Sequence, residues 1–323
     1  MSLVLNLNQI IGHEMICQIL QRAINENRVA NAYLFYGPDG VGKRTCSLAF
    51  AKALHCVHGT GCEQCDACKL YEGQLAHPDL FLLDAAGGSL KIDQIRAMQE
   101  RLNYQAELGG YKVCIIDGAD RLTVQAANSS LKMLEEPPGQ TVIILTGESR
   151  SQFLPTILSR CQVLSFQPAA IDVATQYLVN MGADAHQAKV LARLFEGRVG
   201  AAVNALSSDV LQMRHLLLSY LVDVRGNGWA KLYSESTSWE KDQQQARLAL
   251  RIMLSWYRDL LLVKAGMKEN LVNVDWEQKL EEIARHCDLA GLLQICQTIE
   301  AALNYRQGTG YFRIYLDRIL SSL

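Results

Sequence analysis

The run Gly37-Pro38-Asp39-Gly40-Val41-Gly42-Lys43 restricts the possible folds more than any other stretch of the 323 residues. It follows the apolar segment Tyr33-Leu34-Phe35-Tyr36 and precedes a helix-forming stretch from about Arg44 to Leu54, the strand, loop and helix context in which a phosphate-binding loop works. Glycines let backbone amides turn inward, the helix N-terminus adds partial positive charge, and a lysine at this place reaches the outer phosphates of a nucleotide. Gly37, Pro38, Gly40, Val41, Gly42 and Lys43 are therefore the expected nucleotide contacts, with Arg44 and Thr45 next to them and ATP or ADP as the ligand.

Hydrolysis asks for more than the loop. A hydrolysing loop places Ser or Thr directly after the lysine, where the hydroxyl ligates Mg²⁺. Here that residue is Arg44, and Thr45 comes one step late, a rotation of roughly 100° on a helix. The segment Lys112-Val113-Cys114-Ile115-Ile116-Asp117 reads as an apolar strand ending in an acid, the usual place for a Mg²⁺-organising carboxylate. Taken alone, Asp117 is also compatible with the start of a turn before Ala119-Asp120-Arg121. The next residue, Gly118, has no side chain with which to polarise an attacking water. Nucleotide binding is expected, and metal-assisted hydrolysis is not.

Between these segments, Cys56, Cys62, Cys65 and Cys68 are spaced C-x5-C-x2-C-x2-C. Four thiolates at such short steps suit a tetrahedral structural Zn²⁺ site with no position open for water. Disulfide pairing is the alternative, disfavoured because nothing in the sequence points to an oxidising compartment. His55, His58 and His77 lie near enough to substitute as ligands, but four cysteines already suffice. Cys17, Cys46, Cys114, Cys161, Cys287 and Cys296 mostly sit in apolar patterns, as small buried residues do.

With 49% hydrophobic and 20% charged residues, the chain has the make-up of two or three globular domains. A formal net charge of −2 argues against strong stand-alone binding to nucleic acid. The first basic residue is Arg22 and no uncharged apolar run approaches a membrane span, so a cytoplasmic chain is expected. All six prolines fall within the first 168 residues. Up to Phe166, apolar strands near 33–36, 80–83, 113–117, 142–146 and 162–166 alternate with helical stretches, the pattern of a parallel sheet covered on both faces. That sets domains at 1–167, at 168–206 with a glycine-rich joint Gly197-Arg198-Val199-Gly200, and at 207–323, which reads as all helical. Apolar stripes there run through Leu248, Ile252, Trp256, Leu260 and Val263, through Leu289, Leu292, Cys296, Ile299 and Leu303, and through Phe312, Leu316, Ile319 and Leu323.

One further constellation is specific. Leu154-Pro155-Thr156-Ile157-Leu158-Ser159-Arg160-Cys161, with Leu134-Glu135-Glu136-Pro137-Pro138 upstream, resembles the clamp-loader branch of the AAA+ family. The likeness extends over the whole chain, from Ile11-Gly12-His13 to Trp256-Tyr257-Arg258-Asp259-Leu260-Leu261. It implies an α/β P-loop AAA+ domain, a five-stranded parallel sheet bearing a zinc knuckle, followed by a helical lid and an all-α collar. From physics alone Arg160 reads as an exposed ion-pair partner; the resemblance makes it an arginine finger that reaches the ATP of a neighbouring subunit. Motor members of the family carry Ser or Thr at 44, Glu at 118 and Arg at 200; this chain has Arg44, Gly118 and Gly200, with Arg198 two residues early. The implied role is a non-hydrolysing member of a ring with tau/gamma motor subunits and a delta subunit. That ring would load a sliding clamp onto primed DNA within a DNA polymerase holoenzyme. An active ATPase motor and a zinc-bearing regulatory NTPase are the rival readings.

Overall fold

A computed structural model describes residues 6–72, 75–85, 88–223, 228–239 and 242–304. They form two compact units, one reaching to Ala174 and taking in Gly197–Ala201, the other built from Thr175–Glu196 and the described chain from Ala202 onward. In the first unit β1 (Ala32–Tyr36), β2 (Leu80–Asp84), β3 (Lys112–Asp117), β4 (Thr141–Gly147) and β5 (Gln162–Ser165) are all parallel, in the order β2-β3-β4-β1-β5. These are the five apolar runs of the sequence, with ends within a residue of those expected. The strand period explains the match. Tyr33, Phe35, Val113, Ile115, Val142 and Ile144 join one core layer, and Leu34, Cys114, Ile116, Ile143 and Leu145 join the other.

A parallel sheet needs cover on both faces. Helices α1 (Glu14–Asn25) and α2 (Lys43–His55) supply the first through Leu20, Leu48 and Phe50, with the short α3 (Asp66–Lys69) following α2. Helices α4 (Ile92–Leu102), α5 (Val124–Glu135) and α6 (Pro155–Leu158) supply the second through Ile95, Met98, Met133 and Ile157. Each such large side chain taken fully out of water contributes about 2–3 kcal/mol. Because β1 lies between β4 and β5, its carboxyl end opens into the crevice where the strand order reverses, the usual ligand position in an open α/β sheet.

Beyond β5 no strand forms among the described residues. Helices α7 (Ile171–Asn180), α8 (Ala185–Leu194) and α9 (Val199–Leu206) come first, then α10 (Val210–Val222), α11 (Gly228–Trp239), α12 (Gln243–Lys264), α13 (Glu277–Ala284) and α14 (Leu289–Asn304). The long α12 is the hub against which α10, α11, α13 and α14 pack. Its expected stripe is core at Ile252, Trp256 and Leu260, all nearly inaccessible. In α14 the core positions are Leu292, Ile295, Cys296 and Ile299, whereas Leu289, the first helical residue, is half exposed. The stripe Phe312, Leu316, Ile319 and Leu323 lies outside the described residues.

The motif around Trp256 owes part of its character to a buried acid. Asp259 accepts from the backbone N–H groups of Val272 (3.0 Å) and Asn273 (2.7 Å) and from Asn273 Nδ2 (2.8 Å). Asn273 Oδ1 in turn accepts from Arg214 of α10, which also forms a two-pronged pair with Asp275. Polar groups otherwise expensive to bury thus satisfy one another and tie α10 to the segment after α12. No helix among the described residues is long and apolar enough to cross a membrane.

Candidate functional site

The phosphate-type loop leaves β1 where expected. Gly37 N–H donates to Gly147 O at the end of β4 (3.1 Å), and Phe166 N–H donates to Tyr36 O (2.7 Å). Gly42, left-handed at φ 107°, caps α2. Lys43 is buried, and its ammonium donates to Gly37 O (2.7 Å) and Pro38 O (2.8 Å), inside the loop's own concavity. Burial lowers its pKa, against the raising effect of Asp39, Glu148, Asp117 and Asp120. His13 braces the loop from below: its Nε2–H donates to Val41 O (2.9 Å) while its ring packs on Phe166. Desolvation lowers the His13 pKa, favouring the neutral ring that this single donor requires. The sequence motif Ile11-Gly12-His13 carried this contact, but only the fold shows what the histidine touches.

The metal side of the site departs from a hydrolytic pattern. Arg44 Nη1 binds Asp84 Oδ2 and reaches Asp117 Oδ2 at 3.1 Å. The two acids are register partners at the carboxyl ends of β2 and β3. Thr146, at the end of β4, donates its hydroxyl to Asp117 Oδ1 and accepts from Gly118 N–H (3.0 Å). Asp117 is thus where the sequence places it, but its carboxylate faces a guanidinium. Asp84 went unnoticed in the sequence, although an acid closing the apolar run Leu80-Phe81-Leu82-Leu83 is the same signal that identified Asp117. Gly118 is left-handed at φ 73°, and a Cβ there would stand 3.1 Å from Ala85 Cβ. The turn is built for glycine, so a glutamate at this position would be strained as well as new.

A contact from the glycine-rich joint closes on the loop. Ala201 N–H donates to Gly40 O (3.0 Å), and a Cβ on Gly200 would lie 2.9 Å from that same oxygen. The start of α9 therefore sits against the loop with backbone on backbone. Arg198 is buried, 7% exposed, in the same unit. The space an arginine at 200 would need is taken by the loop itself.

The residues present fit a nucleotide's phosphates, with a left-handed glycine cap at the start of α2 and a buried lysine lying against the loop carbonyls. They do not fit a nucleotide-borne Mg²⁺: the hydroxyl ligand is missing and both carboxylates are engaged by Arg44.

The cysteine module is assembled. The Sγ atoms of Cys56, Cys62, Cys65 and Cys68 all lie within 4.8 Å of one another. Tetrahedral zinc at the usual Zn–S length needs sulfurs about 3.8 Å apart, so a small contraction closes the site. All ten cysteines are free thiols. Burial pushes the Cys56 thiol up, but amides of Cys62, Thr60 and His58 outweigh it and bring it down to about 5, which suits a thiolate ligand. The nearby histidines are used otherwise. His55 Nδ1 accepts from Tyr71 Oη (2.6 Å) and Nε2–H donates to Tyr111 O (2.9 Å); burial holds its pKa at about 3. His77 stacks on His55 at 3.8 Å and its Nδ1 accepts from Asp79 N–H (3.2 Å).

Arg160 follows the four-residue α6, whose Pro155 occupies the first turn, where its missing N–H costs nothing. Its guanidinium is ion-paired with Glu135 at the end of α5 and donates to Thr156 O (2.8 Å) and Ser159 Oγ (3.2 Å). Its side chain remains 29% exposed. Sequence reasoning placed Glu135 in the motif without assigning it this contact.

Comparisons with known proteins agree on one family. The profile described as "DNA polymerase III, delta subunit" matches residues 12–170, and "DNA polymerase III, delta subunit, C terminal" matches residues 206–309. The DNA polymerase III subunit delta' of Bacillus subtilis (strain 168) is 32% identical over 275 residues, 83% of each chain. Subunit tau of the same organism is 28% identical over an alignment of 342 positions, covering 95% of this chain and 59% of tau. A crystal structure of a DNA polymerase III gamma subunit-related protein from Thermotoga maritima superposes with a TM-score of 0.50 at 22% identity, covering 94% of this chain and 97% of that one, a likeness of fold.

Proposed function

The chain belongs to the delta-prime family of DNA polymerase III subunits, within the clamp-loader group that includes tau and gamma, and on that basis we propose that it is the stator of a clamp-loader ring. Its partners are tau/gamma motor subunits and a delta subunit, and the assembled ring opens a sliding clamp and places it on primed DNA. Residues 168–206 serve as the lid and 207–323 as the collar. The nucleotide loop holds ATP or ADP as a structural ligand. Arg160 acts in trans, its guanidinium stabilising charge that develops on the γ-phosphate held by a neighbouring motor subunit.

The observation that carries this reading is the ion pairing of Arg44 with Asp84 and Asp117, which leaves the chain's own site without a place for catalytic Mg²⁺. Gly118 and Gly200 point the same way, because neither a water-polarising glutamate nor a γ-phosphate-sensing arginine fits at those positions without a shift. A motor reading would need all three.

The test is clamp- and primed-DNA-stimulated ATP turnover by a ring rebuilt from cognate subunits. Arg160→Ala is expected to lower turnover at the adjacent motor site by about 10³-fold, roughly 4 kcal/mol of transition-state stabilisation. Lys43→Ala is expected to leave turnover within about threefold of native, since the chain's own site does no chemistry. Native rates with Arg160→Ala, or a collapse with Lys43→Ala, would overturn the stator assignment.

A further inference from the structure

A P-loop normally recruits its divalent cation with three things: a hydroxyl after the lysine, a strand-end carboxylate, and the phosphates themselves. In this chain the position after Lys43 carries a cation instead of a metal ligand. The Arg44 guanidinium spans Asp84 Oδ2 and Asp117 Oδ2, and the remaining oxygen of Asp117 accepts from Thr146. Both strand-end acids thus share one tethered positive charge, and Asp117 has no oxygen left unbonded. A hydrated Mg²⁺ entering here would meet like charge and find its carboxylates engaged.

We infer that this loop is a metal-independent nucleotide site, in which Arg44 replaces the divalent cation as a built-in counter-charge and Lys43 with the loop amides supplies the phosphate contacts. The inference rests on the reading that the loop holds a nucleoside di- or triphosphate. It assigns to Arg44 a specificity role, excluding Mg²⁺, in place of the role of a missing catalytic part. A guanidinium on a fixed stem delivers its charge without the dehydration that Mg²⁺ resists. Its cost is that it cannot follow the γ-phosphate through a reaction, which is acceptable at a site that only holds its ligand.

Isothermal titration of the full-length chain with ADP and with ATP, each in excess Mg²⁺ and in EDTA, tests this directly. The native chain should bind with dissociation constants that agree within about twofold between the two conditions. Arg44→Thr, which restores a hydroxyl and frees both acids, should bind at least about tenfold more tightly with Mg²⁺ than with EDTA. Arg44→Lys, which keeps the charge on a shorter reach, should remain metal-independent. Native binding that Mg²⁺ strengthens by about tenfold or more would overturn the metal-independence and leave the nucleotide reading standing. Binding in neither condition would overturn both, while the trans role of Arg160 would still be decided by the ring assay.

Discussion

Arg160 shows how one residue's meaning depends on its neighbours. Alone it is a half-exposed cation, but its pairing with Glu135 and its bond to Thr156 O limit the directions in which the guanidinium can point. An arginine that must meet a phosphoryl group on another subunit loses less entropy on contact if it is held beforehand. On the proposed trans role of Arg160, Glu135 would be a positioning residue. Glu135→Ala should reduce ring ATP turnover by about tenfold through kcat with little change in KM, and Glu135→Asp should recover part of it; an unchanged kcat would show the pair to be an ordinary surface bridge. The proximity of Glu135 to the proline pair was legible in the sequence. Its contact with Arg160, 25 positions away, was not, because α5 and α6 are brought together by packing in the core layer to which Met133 and Ile157 belong.

Among the elements, the cysteine module was the most legible, since ligand spacing alone brings four sulfurs together at the end of α2. Lys52, fully buried on that helix, reaches Glu63 within the module at 3.8 Å. The purified chain should carry about one zinc, and Cys65→Ser or chelation should release it. Metal analysis checks the stoichiometry. Hydrogen exchange should then show faster opening confined to residues 56–72, with the sheet still protected, because Tyr71 is the one residue of that stretch among the buried residues of the sheet's two core layers. Protection lost throughout the sheet would mean the module is part of the folding core. The strands were equally readable, as uninterrupted apolar runs with turn residues at their ends. The helical unit was readable only as periodicity, which did not distinguish the buried Leu292 from the exposed Leu289.

At the scale of the molecule, the helical unit has a polar anchor as well as an apolar core. In the helical unit Arg214, 5% exposed, pairs with Asp275. Burial would raise the Asp275 carboxyl, but the Arg214 bonds outweigh it and hold the group below the ordinary range. A carboxyl depressed on folding contributes stability that is complete above its unfolded pKa of about 3.9 and is lost as the pH falls through the lower folded value. Asp275→Asn should therefore cost about 2 kcal/mol near neutrality, with the gap to the native chain closing below about pH 4. Denaturant melts at the two pH values check it, and a gap that persists at low pH would mean the loss is steric. From residue order alone came the parallel α/β architecture, the loop and the four-cysteine site, because periodicity, glycine conformation and ligand spacing are local properties of the chain, while the departures at Arg44, Gly118 and Gly200 were read against the motor members of the resembling family. The partners of those residues emerged only on folding: Asp84 beside Asp117, Gly40 against Gly200, Glu135 on Arg160. Such contacts are set by which strands lie side by side and which helices cover them, and a long-range juxtaposition of that kind leaves no periodic trace in sequence.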